Sequence, residues 1–308
     1  MDNKERLKES ERLDLKRVEE YFSARGYQVV KLEQPWRHVT GVLRKDNKDL
    51  FLKLASTPTI AERTKNEFAW NNLANSLSQE QRLPVSIPQN YESGMFQELF
   101  WFLSSHAGEK LLSRPVDKDQ TKDLEDNLPA IAKTAYQIIN IKTPKRLPID
   151  KTLNIKQRQE KLLKLVKEWA SQTSEDVTDL TTFIEDKLDT IQIAPSHGDF
   201  VPWHFVLGAN KTLSLVDGEH AHIRGLKFYD VAYFYHRVWT KLKRPDIAER
   251  FLAEFQNLYR LLAKEKDLFR LILAQRIIGG FFNITRGSVF ISVELQRQLK
   301  DKLIGGLI

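Results

Sequence analysis

The 308-residue sequence contains no cysteine, so it has neither a disulfide framework nor a thiolate metal site, and a reducing, cytoplasmic compartment suits it. No stretch offers the roughly twenty uncharged apolar residues of a membrane span; the richest run, Leu268–Ile278, is interrupted by Arg270 and Arg276 and reads as a buried helix. The opening residues, with Asp2, Lys4, Glu5, Arg6 and Lys8, lack the apolar segment of a secretory signal. Glycine is missing from the turn Glu33–His38, so no glycine-rich phosphate loop stands there. Internal repeats and low-complexity segments are also missing. The net charge is +7, but lysines and arginines are interleaved with acids along helical faces and form no basic block with spaced aromatics. Nucleic acid is therefore not an expected partner.

The apolar periodicity divides the chain in two. Leu13–Tyr27 reads as an amphipathic helix that stops at Gly26. Three β-rich runs follow, Tyr27–Leu32, His38–Leu43 and Leu50–Leu54, with Lys45–Lys48 as a hairpin tip. Thr59 and Glu62 have capping-box spacing, which predicts a helix from there to about Leu77. Two further strands, Gln89–Ser93 and Glu98–Leu103, end at the small-residue segment Ser104–Gly108, which reads as a hinge. Beyond it the period is helical at Leu128–Ile141, Ile155–Ala170, Val177–Leu188 and in four segments after Lys227, with strand and loop only over Ile191–Val216. The expected fold is α+β and bilobal, with a small antiparallel β-sheet lobe (1–103) and a larger, mainly helical lobe (104–308).

Three places carry chemistry. Lys53 lies inside the apolar strand Phe51–Ala55, where an ammonium is costly unless it is paired, so it should face a cleft. Its partner is Glu62 or Glu67; Glu62 is occupied by capping, which leaves Glu67, beside Phe68, Trp70 and Leu73. The stretch Ser196–His204, then the apolar run Leu213–Val216 and Asp217-Gly218-Glu219, puts two acids at neighbouring strand ends. Phosphoryl transfer needs such a pair: one carboxylate to accept the proton of the attacking hydroxyl, another to hold the metal that bridges the nucleotide phosphates.

The run His197-Gly198-Asp199, four residues and then position 204, with Asp217 on the next strand, resembles the kinase-like phosphotransferases of the aminoglycoside phosphotransferase and choline kinase family. The resemblance implies ATP and magnesium, with manganese as the alternative ion, and a small-molecule hydroxyl as phosphate acceptor. It implies Asp199 as catalytic base, Asp217 as metal ligand, Lys53 and Glu67 at the nucleotide phosphates, and Phe102, Leu103 and Ser104 of the hinge Phe102–His106 at the adenine. Asp230, in Tyr229-Asp230-Val231-Ala232, matches the acid that braces the catalytic loop. Helices after Lys227 would line the acceptor pocket. Position 204 departs from the pattern, since the family carries Asn and this chain carries His. His204 ligates a borderline metal such as manganese, or meets phosphate oxygens through an N–H while Glu219 adds a metal oxygen, or marks lost catalysis. The last reading would make the chain a nucleotide-binding protein without phosphoryl transfer. The cluster His197, Asp199, His204, Asp217, His220 and His222 also permits a metal-dependent hydrolase, although no strict ligand spacing supports one.

Overall fold

The computed structural model describes residues 11–108, 110–114, 121–208, 210–288 and 290–308. The charged segment Asp2–Lys8 lies outside them. Helix α1 (Leu15–Ser23) starts where the Asp14 carboxylate accepts the N–H groups of Lys16 and Arg17, and it buries Val18 and Phe22. Strands β1 (Gln28–Glu33), β2 (His38–Lys45), β3 (Lys48–Ala55), β4 (Asn90–Phe96) and β5 (Leu99–Ser105) form one antiparallel sheet in the order β1-β2-β3-β5-β4. The tip between β2 and β3 turns on Asp46 and Asn47, both at positive φ (50° and 59°), the conformation of a tight hairpin between right-twisted strands. The inward residues Val39, Leu43, Leu52, Leu54, Trp101 and Leu103 meet Val18 and Phe22 in one apolar cluster.

Helix α2 (Pro58–Asn75) corrects the expected cap. Thr57 is the N-cap, accepting the N–H of Ile60, because Pro58 fits the first helical position, where a missing N–H costs nothing. Thr59 therefore lies inside the helix, and Glu62 is free of capping and pairs at the surface with Lys65 at 2.8 Å.

The helical lobe comprises α3 (Lys122–Ile139), α4 (Ile155–Gln172), α5 (Thr178–Asp186), α6 (Tyr229–Thr240), α7 (Pro245–Leu258), α8 (Ala263–Thr285) and α9 (Val293–Ile304). Two small sheets sit among them: β7 (Ile193–Ser196) with β10 (His222–Leu226), and β6 (Lys110–Leu111) with β8 (Phe205–Leu207) and β9 (Leu213–Leu215). β6 and β10 were not expected; β6 is two residues long, and His222-Ile223-Arg224-Gly225 has no alternating apolar pattern. Phe200 packs edge-on against Phe205 with centroids 5.1 Å apart and also touches Phe234, which ties the loop after β7 to α6. Helix α8 is long and apolar enough by length and composition to cross a membrane, but 72% of that window is buried in the lobe.

A polar knot fastens the carboxyl-terminal helices. Gln296 on α9 is wholly buried; its amide nitrogen donates to the Ile277 carbonyl at 2.5 Å, and its oxygen lies 3.0 Å from Nε2 of the buried His236. A Cβ at Gly280 would come within 2.2 Å of the Gln296 amide. Gly280→Ala should therefore displace that amide and leave His236 unpaired, at a cost of about 1–3 kcal/mol. Urea unfolding would read this as a lower midpoint, and an unchanged midpoint would refute the knot's role.

Candidate active site

β3 sets Lys53 opposite Thr40 on one side and Phe102 on the other, with its side chain only 9% exposed. Its ammonium donates to Glu67 at 2.5 Å and to Asp217 at 2.6 Å, and Glu219 stands 3.9 Å away. Glu67 comes from α2, while Asp217 and Glu219 come from the turn after β9, so one cation joins the two lobes. Burial would push the Lys53 pKa down, but the three carboxylates overturn it and raise it, so Lys53 stays protonated. Burial, followed by the fields of Asp217 and Glu219, lifts Glu67 to about 7 against the pull of Lys53. Asp217 is held well below the usual carboxylate range: burial opposes this, and Lys53 and His204 outweigh it. Glu219 also pairs with Arg37 and lies 3.2 Å from Nε2 of His220; burial and Asp217 push it up, but His220, Lys53 and Arg37 hold it down to about 2.

The turn carrying Asp217 is built tightly. Asp217 adopts the left-handed conformation (φ 65°, ψ 46°), which Asp tolerates better than most residues. The next residue must be glycine, because a Cβ at Gly218 would lie 2.2 Å from the Trp70 ring. The turn's carbonyls are collected by one side chain: Nδ2 of buried Asn66 reaches the carbonyls of Gly218, Glu219 and Ala221 at 3.5, 3.2 and 3.0 Å. Asn66 escaped the sequence reading. The one signal available was a polar residue four positions before Trp70, on the same face of α2.

Asp199 follows β7. Gly198 takes φ 80°, and a Cβ there would meet the His220 carbonyl at 2.0 Å. Asp230, at the start of α6, accepts the backbone N–H groups of His197 (2.6 Å) and Gly198 (2.9 Å), which pins the loop. Burial pushes the Asp230 carboxyl up to about 7 against those two donors. The His197 ring is wholly buried beside Trp70, and neither of its nitrogens has a partner; burial and then His204 lower its pKa to about 4, so it is neutral.

His204 comes between the two acids. Its Nδ1 lies 2.8 Å from the Asp199 backbone carbonyl, and a carbonyl can only accept, so Nδ1 carries the proton and donates. Nε2 then points at Asp217, 3.3 Å from Oδ2. Burial lowers the His204 pKa, but Asp199 and Asp217 together raise it above the ordinary value. Donor atoms of Asp199, His204 and Asp217 lie within 4.8 Å of one another, as do those of Glu67, Asp217 and Glu219, and Asp217 belongs to both groups. Two carboxylates with one imidazole nitrogen suit a borderline ion such as manganese better than magnesium, which prefers oxygen ligands. Of the six residues that allowed a hydrolase, only these three converge. His222 pairs with Asp150 at 3.1 Å, His220 faces Glu219, and His197 faces aromatic rings.

The cleft beside these groups has a volume of about 400 Å³ and is lined by Lys53, Glu67, Asp217, Glu219 and the segment Ser104–Gly108. The hinge residues divide between the two faces of β5. Phe102, 1% exposed and paired with Lys53, lies on the same face of the sheet as that lysine and packs against Phe68, whereas Leu103, 0% exposed, turns to the opposite face and joins the cluster with Val18 and Phe22. Ser104 and the residues after it supply the cleft wall.

Asn66→Ala should leave the turn's buried carbonyls unpaired, destabilising the protein by about 1–3 kcal/mol and weakening manganese binding at Asp217. Thermal melting and manganese titration would check both, and full metal affinity in the variant would show that the turn stands without Asn66. His204→Asn should shift the metal preference from manganese toward magnesium. In the wild type, protons compete with metal for Nε2, so metal affinity should fall as pH drops through the raised His204 pKa; the Asn variant should lose that acid limb. Unchanged preference and unchanged pH profile would place His204 outside the metal shell.

No curated protein matches the chain by sequence. Among solved structures it is similar to aminoglycoside phosphotransferase APH(4)-Ia, at 14% identity over 94% of this chain and 97% of that one, with a TM-score of 0.63. It is also similar to macrolide 2'-phosphotransferase MphH from Brachybacterium faecium (13% identity, 93% and 97% covered, TM-score 0.59). Choline kinase LicA from Streptococcus pneumoniae gives 15% identity, 95% and 98% covered, and a TM-score of 0.54. At these identities the likeness is one of fold, a kinase-like arrangement of a β lobe and a helical lobe. The model of the phosphotransferase enzyme family matches residues 22–265, and the chain belongs to that family.

Proposed function

We propose that this protein transfers the γ-phosphate of ATP to a hydroxyl of a small molecule. The observation that carries the reading is the shared ammonium of Lys53, bonded at once to Glu67 and Asp217 at the mouth of the cleft. A lysine so held is aimed and charged, ready to meet nucleotide phosphates. The adenine would rest along Ser104–Gly108. Asp217 with His204 or Glu219 would hold a divalent ion, which when bound neutralises charge on the transferring phosphoryl group. Asp199, 25% exposed at its side chain, would orient the acceptor hydroxyl. The hydroxyl oxygen bonds to the γ-phosphorus, the bond to the β-γ bridging oxygen breaks, ADP leaves with that electron pair, and the hydroxyl proton passes to Asp199. A loose transition state asks for this proton late, so orientation is the larger contribution.

One observation favours a second reading, nucleotide binding without transfer. His204 Nε2 already stands against Asp217, on a side of that carboxylate where a metal would sit. Magnesium would then find nitrogen where it prefers oxygen.

The two readings separate by experiment. Both expect stabilisation by ATP with magnesium or manganese, about 2.7 kcal/mol at one hundred times the dissociation constant; no melting shift with any metal would sink both. Asp199→Asn should abolish ADP release in the presence of an accepted hydroxyl compound while leaving nucleotide affinity within a few-fold. Asp217→Ala should lose metal-dependent nucleotide binding as well. Equal turnover in wild type and Asp199→Asn would remove Asp199 from the chemistry.

A further inference from the structure

A second cleft, of about 330 Å³, borders Gly198, next to Asp199, and runs between α4 and β10. Lys151, Arg158, Lys161 and Arg224 line it, and no carboxylate does. The neighbouring acid, Asp150, has a side chain only 1% exposed and is consumed by His222 and by the N–H groups of Leu147, Ile223 and Arg224. None of the four cations has an ion-pair partner among the described residues. Arg158 reaches only the carbonyls of Leu153 and Lys151, at 3.3 and 3.5 Å, and Nε of Arg224 is buried without a hydrogen bond. Burial and then the charge of Arg224 weaken the hold of Arg158 on its proton, against a smaller opposing pull from Asp150. The same sign continues on the side of Asp199. Arg237 and Arg276 are 9% and 8% exposed, have tyrosine hydroxyls as their hydrogen-bond acceptors, and each leaves its Nε without a partner. Asp199 is close enough to Arg237 for its charge to act on it.

Gathering like charges in a half-enclosed space is unfavourable unless an opposite charge completes it, and planar guanidinium groups match carboxylate and phosphate oxygens in pairs. We propose that the phosphate acceptor is itself an anion, a small hydroxylated molecule bearing a carboxylate or a phosphate, held by Arg158 and Arg224 while its hydroxyl faces Asp199. This rests on the phosphotransferase reading and adds the charge of the substrate to it. A cationic acceptor is rejected by the same four charges.

The test titrates glucose, gluconate, glucose 6-phosphate, glucosamine and inorganic phosphate into the full chain at constant ionic strength, with and without saturating ADP–magnesium, and follows melting. The wild type should bind the acids at least tenfold more tightly than glucose, with glucosamine weakest; gluconate against glucose 6-phosphate then separates carboxylate from phosphate. In Arg158→Gln/Arg224→Gln the preference should disappear, with the ADP–magnesium shift serving as the folding control. Lys161→Glu, at an exposed position, gives the answer should the arginine pair fail to fold, lowering acid affinity at least threefold. Equal affinity for acids and glucose in the wild type, or a preference that survives these variants, overturns the inference. Nucleotide turnover without anion preference defeats this inference alone, whereas anion binding without nucleotide binding defeats the phosphotransferase reading and leaves the cleft.

Discussion

The ammonium of Lys53 is the charge around which the site is arranged. Removing an ammonium from water costs several kcal/mol even after relaxation, and the attraction of partners recovers this only when geometry is good. Here the compensation is assembled from separate parts of the chain: Glu67 on α2, and Asp217 and Glu219 on one turn of the other lobe. No single lobe satisfies the cation, so the closed relation of the lobes and the charge state of the cleft are set by the same contacts. Burial first, and then the fields of Asp217 and Glu219, lift Glu67 toward neutrality, while Lys53 and His204 keep Asp217 ionised.

A second layer of buried polar groups makes the first possible. Asp217 sits in left-handed backbone that an ordinary side chain occupies at a cost, so something must hold it there. Asn66 does so with one amide group that serves three carbonyls, and Trp70 closes the space that a larger residue than Gly218 would need. Asp230 does the equivalent for Asp199 by taking the N–H groups of His197 and Gly198. The acids that face the cleft are thus placed by residues that do not, and backbone groups that would otherwise be buried and unsatisfied become the fastening points.

How much of this could be read from the sequence follows from the range of each interaction. The strands around Lys53, the hairpin at Asp46-Asn47 and the four closing helices are written in local periodicity and turn chemistry, and these were legible. Lys53 is legible because a charge inside an apolar strand demands a partner, and Glu67 because it lies mid-helix beside Phe68, Trp70 and Leu73; the exclusion of Glu62 as a capping residue does not hold, since Thr57 is the cap. The cap of α2 was misread since Thr57-Pro58 and Thr59-Glu62 both carry start signals, and only the fixed φ of proline decides between them. Asn66, Asp150 and the tautomer of His204 were illegible: each depends on a contact between residues far apart in the chain, and an asparagine in a helix has no periodicity that announces three distant carbonyls. Phe102 and Leu103 alternate across β5, and which of them shares a face with Lys53 depends on the register with β3, a pairing between residues far apart in the chain.

The two clefts differ in how their cations are compensated. In the nucleotide cleft Lys53 and Arg37 are already bonded to Glu67, Asp217 and Glu219, so neither cation is uncompensated. On the proposed reading, a divalent cation held at Asp217 would supply the positive charge that nucleotide phosphates meet there. No carboxylate lines the cleft at Arg158 and Arg224, so the anion proposed for it would meet cations that no ion pair occupies among the described residues. Two anions must approach each other for phosphoryl transfer, and their repulsion is the barrier that the surroundings have to lower. In the proposed reaction, carboxylates that would hold a metal on one side of Asp199 and arginines without ion pairs on the other would let each anion be neutralised by its own wall, and their mutual repulsion would be screened where they meet.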